Sequence, residues 1–238
     1  MNPESIHCQT CGHHPKSIFC YLAGTHLQHL DTEKSVYKYR RGQVVYYEGH
    51  PADAAYCIFE GRLKIYKVGR KDEETVIRLL GPGDITGYRA MLADEPYAAT
   101  AEAIEDTTVC SISRSTLTGL LREVPDMAMR MLAELSRELR VSEEQMMSLA
   151  QETVLQRTAR ILLWLHRTSA QPDVSEAPQL DLPLRKSELA QMIGSTPESL
   201  SRALHELGER YVISVKKDSI IITDLSSLAR LAGSRPSA

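Results

Sequence analysis

The stretch Ser187-Glu188-Leu189-Ala190-Gln191-Met192-Ile193-Gly194-Ser195-Thr196-Pro197-Glu198-Ser199-Leu200-Ser201-Arg202 has a mechanical task at nearly every position. Leu189, Ala190 and Ile193 recur at the spacing of one helix face, and Ala190 is small enough for a second helix to approach closely. Gly194 supplies a left-handed turn that L side chains avoid. Thr196 is a natural N-cap, and Pro197 sits at the first helical position, where its missing N–H does no harm. Leu200, Ala203, Leu204 and Leu207 form a second inner face and leave Glu198, Ser201, Arg202 and His205 outside. Helices are therefore expected at 186–193 and 197–210. Strands follow near Val212–Val215 and Ile220–Thr223, joined around Lys217-Asp218, which completes the pattern of a winged helix-turn-helix. Its outer side chains suit a DNA groove. Arg can bind guanine through two hydrogen bonds, Glu can accept from cytosine N4–H, and Ser can meet a base edge or a phosphate.

Working outward, the chain from Pro125 to Leu149 carries Ala128, Leu132, Leu135, Leu139, Ser142, Met146 and Leu149 in steps of four and three residues. That is a coiled-coil seam. Arg137, Glu138, Arg140, Glu143 and Glu144 flank the narrow stripe, so the expected partner is a second copy of the same helix. The alternative is a helix lying on its own barrel. A further apolar helix, Thr153–His166, contains Ile161, Leu162 and Leu165, and Thr168–Leu180 reads as a loop. Between Val36 and Ser113, β-rich runs at Gln43–Tyr47, Ala55–Phe59, Arg62–Val68, Thr75–Leu80 and Thr107–Ile112 are divided by turns at Gly49, Gly61, Gly69 and Gly81-Pro82-Gly83-Asp84. This spacing describes an antiparallel β-barrel or jelly roll. The fold class is thus α+β: a cysteine-rich segment at 1–25, a β-roll at 26–116, a dimerisation helix region at 117–150, and the winged domain at 151–238.

The 238 residues are 42% hydrophobic and 25% charged, ordinary for a globular chain with two modest domains. No run approaches the roughly 18 apolar residues of a membrane span, and the first thirty residues lack the features of a secretory signal, so a cytoplasmic location is expected. A net charge of −3 gives no global attraction to nucleic acid, which leaves the DNA-binding reading to rest on the local motif.

Five cysteines, Cys8, Cys11, Cys20, Cys57 and Cys110, make an odd number that suits metal or redox chemistry better than a disulfide framework. Met1 to Tyr21 holds three of them with His7, His13 and His14 but no sustained apolar period, so it reads as a tail needing an external organiser. Cys8-x-x-Cys11 with Cys20 places three soft ligands within thirteen residues, a donor set that selects zinc or an iron–sulfur cluster. A site of three Cys and one His for zinc competes with the cluster. Either Cys57 or Cys110 could supply a fourth sulfur, and chemistry alone does not choose between them.

A barrel, a long dimer helix and a winged helix-turn-helix in this order resemble the Crp/Fnr family of transcription regulators over essentially the whole chain. The pattern Glu198-x-x-Ser201-Arg202 is similar to the recognition helix of the oxygen-responsive Fnr branch. Glu105-Asp106-Thr107-Thr108-Val109-Cys110-Ser111-Ile112 resembles the segment holding that branch's distant cluster cysteine, and His7-Cys8-Gln9-Thr10-Cys11 resembles its leader. The resemblance implies a [4Fe–4S] cluster on Cys8, Cys11, Cys20 and Cys110, zinc being the alternative metal. It also implies a homodimer joined through Leu132, Leu135, Leu139, Ser142 and Met146, and palindromic double-stranded DNA sites with TTGA-type halves one helical turn apart. RNA polymerase is the further partner, and no enzymatic activity is implied.

Two positions depart from the branch. Eight residues separate Cys11 from Cys20, a longer spacing than in the best-known Fnr proteins, and Ser142 stands where the family commonly places a seam aspartate. Cyclic-nucleotide control within the same fold would need a Glu for the ribose and an Arg for the phosphate. In Gly83–Thr100, Tyr88 and Arg89 follow the glycine, and Tyr97-Ala98 occupy the place of the phosphate-binding pair. A thiol–disulfide oxidoreductase would need its CxxC within a βαβ pattern, which is absent around Cys8 and Cys11.

Overall fold

β-Branched and aromatic residues closed off by glycine turns make strands of the segment from Ser35 to Ser113, and longer runs with helical period make the rest. The computed structural model describes residues 6–69, 73–168, 179–181, 184–216 and 219–233. They divide into two compact units, Met1–Arg140 and Val141–Ala238.

The first unit runs α1 (Gly24–Glu33), β1 (Ser35–Tyr39), β2 (Val44–Tyr46), β3 (Ala54–Glu60), β4 (Leu63–Val68), β5 (Glu74–Leu80), β6 (Ile85–Thr86), α2 (Tyr88–Ala93), β7 (Thr100–Ala103), β8 (Thr107–Ser113) and α3 (Arg114–Glu123). It then enters α4 (Pro125–Gln151), which continues across the division. Two antiparallel sheets, ordered β1-β8-β3-β6 and β2-β7-β4-β5, face each other. That interleaved order is a jelly roll. Ile58, Leu63, Ala101 and Val109 are fully buried in the core, and Leu117 of α3 and Met127 and Met131 of α4 close it. Gly61 shows why the turns need glycine. Its φ is +82°, and an added Cβ would strike the backbone of Asp106 and Thr107.

The segment ahead of α1 differs from the expected tail. Short 3₁₀ turns at Cys8–Thr10 and His14–Lys16 lead to Ile18, Phe19 and Leu22, all buried in the barrel's core cluster, and Ile6 is buried as well. Irregular spacing hid these anchors, because each apolar side chain inserts from its own turn instead of sharing a helix face.

In the second unit α5 (Val154–Thr168) packs against α7 (Pro197–Glu209) and α8 (Leu225–Leu231), and α6 (Lys186–Met192) packs against α7. The wing strands β10 (Ile213–Val215) and β11 (Ser219–Ile222) are joined on the other edge by β9 (Gln179–Asp181), giving the order β10-β11-β9. The expected loop at 168–180 therefore ends earlier, since Gln179 and Leu180 pair with Ile221 and Ile220. Residues 169–178 of that loop, and the Lys217-Asp218 turn, lie outside the described residues.

Candidate thiol centre and nucleic-acid interface

Asp31, on the last turn of α1, holds the leader in place. Its carboxylate accepts the Cys8 backbone N–H at 2.7 Å and His7 Nδ1 at 2.9 Å, and it pairs with the Lys34 ammonium. Burial alone would raise this carboxyl, but the hydrogen bonds from Lys34, the Cys8 N–H and His7 outweigh it and hold it well below the usual carboxylate range. The Lys34 side chain is only 5% exposed and also donates to the Asp31 carbonyl at 3.2 Å. Farther along the leader, the His13 ring meets Phe59 edge to face, with centroids 6.1 Å apart. The leader thus lies against β3.

Strand register brings two more thiols to the same place. Cys110 on β8 stands directly opposite Cys57 on β3 and, on its other side, opposite Val36 on β1. Burial pushes the Cys8 thiol up to about 12, and the neighbouring Asp31 and Cys110 add to the rise. Cys110 is likewise pushed up by burial, to about 11, with Cys11 contributing and Lys34 opposing. Cys57 rises through burial first and then through the charges of Cys110, Cys11 and Cys8. Cys20 is half-buried in the turn where its N–H donates to Ser17 O at 3.3 Å.

Among the described residues, no group of three or more His, Cys, Asp or Glu side chains converges as a ready metal site. The donor chemistry nevertheless suits a soft-metal group: leader and strands supply thiols, and the Lys34 ammonium acts against the burial that raises Cys8 and Cys110. His14 Nε2 is also buried without a hydrogen-bond partner. Asp31 and Lys34 escaped the sequence reading. Leu27 and Leu30 at i, i+3 are the only sign of α1, and nothing local marks its polar residues as partners of the leader.

The long helix has two apolar faces. Met127 and Met131 turn into the barrel, and Leu135, expected on the dimer seam, is half-buried against the same core. Leu132, Leu139 and Met146 stand one heptad apart and are 56%, 62% and 62% exposed, with Ser142 exposed on the same stretch. Glu138 corrects the reading of the flanking charges. Its side chain is 11% exposed and bonds to Arg78 Nη1 at 2.7 Å, Arg89 Nη1 at 3.4 Å and the Tyr88 hydroxyl, which donates at 3.0 Å. Tyr97, in the place of a phosphate-binding pair, is a core residue stacked on Tyr46 at 4.0 Å, and its hydroxyl donates to Ala54 O at 2.7 Å.

The recognition element has the geometry its residues require. Thr196 Oγ1 accepts from Ser199 N–H at 3.2 Å, Pro197 opens α7, and Gly194 between the helices has a φ of +58°. Leu200, Ala203, Leu204 and Leu207 are buried, while Glu198, Ser201, Arg202 and His205 are exposed on the opposite side. Glu198 is held below its ordinary range by its own backbone N–H, then by Thr196 and the charge of Arg202, so it presents a carboxylate. Arg202 Nη2 donates to Ser199 Oγ at 3.1 Å. Beside α7 and the wing lies a groove of about 560 Å³ lined in part by Ser201, His205 and Tyr211.

Residues 36–124 match the cyclic nucleotide-binding domain family, and residues 156–231 match the Crp-like helix-turn-helix domain family. The chain is 27% identical over 233 residues to the anaerobic regulatory protein of Pasteurella multocida, covering 96% of this chain and 84% of that protein. It is 28% identical over 194 residues to the cyclic AMP receptor protein of Thermus thermophilus, covering 82% of this chain and 86% of that one. The solved structure of FixK2 from Bradyrhizobium japonicum superposes with a TM-score of 0.74 at 27% identity, over 86% of this chain and 99% of the other. With a jelly roll, a long helix and a capped helix-turn-helix in the same order, the chain belongs to the Crp/Fnr family of DNA-binding transcription regulators.

Proposed function

We propose that the chain is an Fnr-like homodimeric regulator that controls transcription in response to oxygen or redox state through a [4Fe–4S] cluster held by Cys8, Cys11, Cys20 and Cys110. The observation that carries this reading is that the cysteine-bearing leader is tied at Cys8 to Asp31 beside Lys34 and lies through His13 on Phe59 of β3, the strand that pairs Cys57 with Cys110 of β8. Two further facts support it. The match to the Pasteurella protein named as an anaerobic regulator spans 96% of the chain, against 82% for the Thermus cyclic AMP receptor. Tyr88 and Tyr97 also commit the region of the nucleotide-binding residues to aromatic packing and to the Glu138 pair.

When bound, such a cluster supplies oxygen-labile iron–thiolate bonds between the leader and β8. The chain's own residues do the rest. Asp31 orients the Cys8 backbone, Lys34 lowers the electrostatic cost of gathered thiolates, and β8 feeds through α3 into the dimer helix α4. Glu198, Ser201 and Arg202 read TTGA-type half-sites of double-stranded DNA, Glu198 and Arg202 sharing the G·C pair, and the DNA-bound dimer meets RNA polymerase. No helix among the described residues is long and apolar enough to cross a membrane, in keeping with a cytoplasmic regulator.

The test is a visible spectrum of anaerobically purified protein with iron and acid-labile sulfide analysis. The reading expects a brown protein that bleaches in air, loss of colour in Cys110→Ala and retention in Cys57→Ala. Colourless, iron-poor material, or equal effects of the two substitutions, would overturn the ligand assignment. One observation favours a second reading, a structural zinc with one histidine ligand: the unpartnered His14 Nε2 in the leader. Zinc in place of iron in the same analysis would decide for it.

A further inference from the structure

We propose that Cys57 and Cys110 form an oxidative modification site, a cross-strand disulfide made with a peroxide as oxidant. The strand register carries the inference. Cys57 and Cys110 face each other across the antiparallel β3–β8 pair, flanked by the pairs Tyr56↔Ser111 and Ile58↔Val109. Directly opposed residues share a face of the sheet, with Cα atoms about 4.5 to 5.5 Å apart. That separation lies inside the range of roughly 4.4–6.8 Å found for disulfides, so closing the bond asks for rotation of two side chains and no movement of backbone. Both thiols are only half-buried, and Phe59, two residues along β3 on the same face as Cys57, meets His13 of the leader.

The chemistry balances in two steps. Cys110, when it carries no metal, reacts as its thiolate, the minor form that burial leaves, and gives two electrons to hydrogen peroxide, becoming a sulfenic acid while the thiol's own proton leaves in the one water released. The Cys57 thiol then attacks the Cys110 sulfur, the S–S bond forms as the S–O bond breaks, and a second water leaves with the Cys57 proton. The pairing itself follows from the register alone. Its regulatory consequence rests on the proposed role of Cys110 as a cluster ligand: while bonded to Cys57, Cys110 is withheld from metal, and recovery requires a reductant. Cys57 is then a capture residue for the freed ligand and not a ligand itself.

The full-length protein, reconstituted without air, would be treated with hydrogen peroxide, alkylated without reductant, digested and mapped by mass spectrometry. The proposal expects a linked peptide joining Cys57 to Cys110, two hydrogen atoms lighter than the separate peptides, and loss of alkylation at both positions. It also expects that wild-type protein regains its colour from added iron and sulfide only after a dithiol reductant, and that Cys57→Ser gives no linked peptide but keeps the sulfenic acid on Cys110, where dimedone traps it. Full alkylation of Cys57 in the oxidised wild type, or Cys110 linked instead to Cys8 or Cys11, would overturn the pairing whether or not the serine variant folds. The two readings fail separately: a linked peptide from protein that never holds iron leaves the disulfide standing and removes the cluster. A coloured protein that bleaches without the link does the reverse.

Discussion

Single residues decide two properties of this chain, where the backbone can turn and what the recognition helix can read. Gly87 precedes α2 with a φ of +81°, and an added Cβ would lie 2.8 Å from the Ala54 carbonyl oxygen and 3.2 Å from the Tyr97 ring. Neither neighbour is a flexible tip, so Gly87→Ala should cost about 1–3 kcal/mol through backbone strain alone, visible as a lower midpoint in denaturant unfolding. Arg202 poses a different question, because it is exposed and its loss disturbs no core. Arg202→Ala should keep the melting temperature but weaken specific DNA binding by about 1–3 kcal/mol and flatten discrimination at one base pair of the half-site. Competition binding against half-sites altered base by base checks this. An equal loss on every sequence would reassign Arg202 to a phosphate. The Thr196 cap, the Gly194 turn and the buried face of α7 were legible in the sequence because each acts through its immediate neighbours, whereas Gly87 was not read as a turn. Asp31, Lys34 and Glu138 were not legible, since their partners are set by the folded chain. Glu138 meets Arg78 sixty residues earlier, and no local pattern announces that pair.

At the scale of the element, α4 shows how one sequence period can serve two surfaces. The heptad stripe expected as a seam is exposed at Leu132, Leu139 and Met146 while Leu135 packs on the core, and Met127, Met131 and Glu138 form a second face that grips the barrel. The grip combines apolar burial with a carboxylate that three donors share, which fixes the rotation of the helix about its axis. With that rotation fixed, Leu132 and Leu139 project away from the barrel, and Met146, one heptad further along the helix, is equally exposed, the kind of apolar surface that marks an interface. Leu139→Glu should therefore split the dimer and leave the barrel folded. Sedimentation velocity should report monomers, while the circular dichroism spectrum and the unfolding midpoint stay near those of the wild type. Loss of folded signal together with dimerisation would return the stripe to the protein's own core. The shorter elements α1, α3, β6 and β7 went unread for a related reason. Two to ten residues carry too few apolar positions to display a period, and tertiary packing forms them.

For the molecule as a whole, the proposed signal must travel from the leader to the dimer helix, and Ser142 governs what form the response takes. In a parallel pair of identical helices, a seam residue approaches its own copy, so a carboxylate there would face a carboxylate. Two such charges about 4 Å apart repel by roughly 1 kcal/mol in water and by about 4 kcal/mol in the less polar setting of an interface. A serine removes this repulsion entirely. On loss of the proposed cluster no seam repulsion then drives the helices apart, and the apolar heptads remain to hold them together. The dimer should accordingly persist in air, with oxygen changing DNA affinity and not assembly. Sedimentation equilibrium of aerobic and anaerobic protein should give the same mass, while DNA titrations of the two samples differ. Ser142→Asp should restore the repulsion, weakening the aerobic dimer by about tenfold or more, an effect that added salt reduces. If wild-type protein is cleanly monomeric in air, the seam is held by something other than its heptads, and oxygen acts on assembly after all.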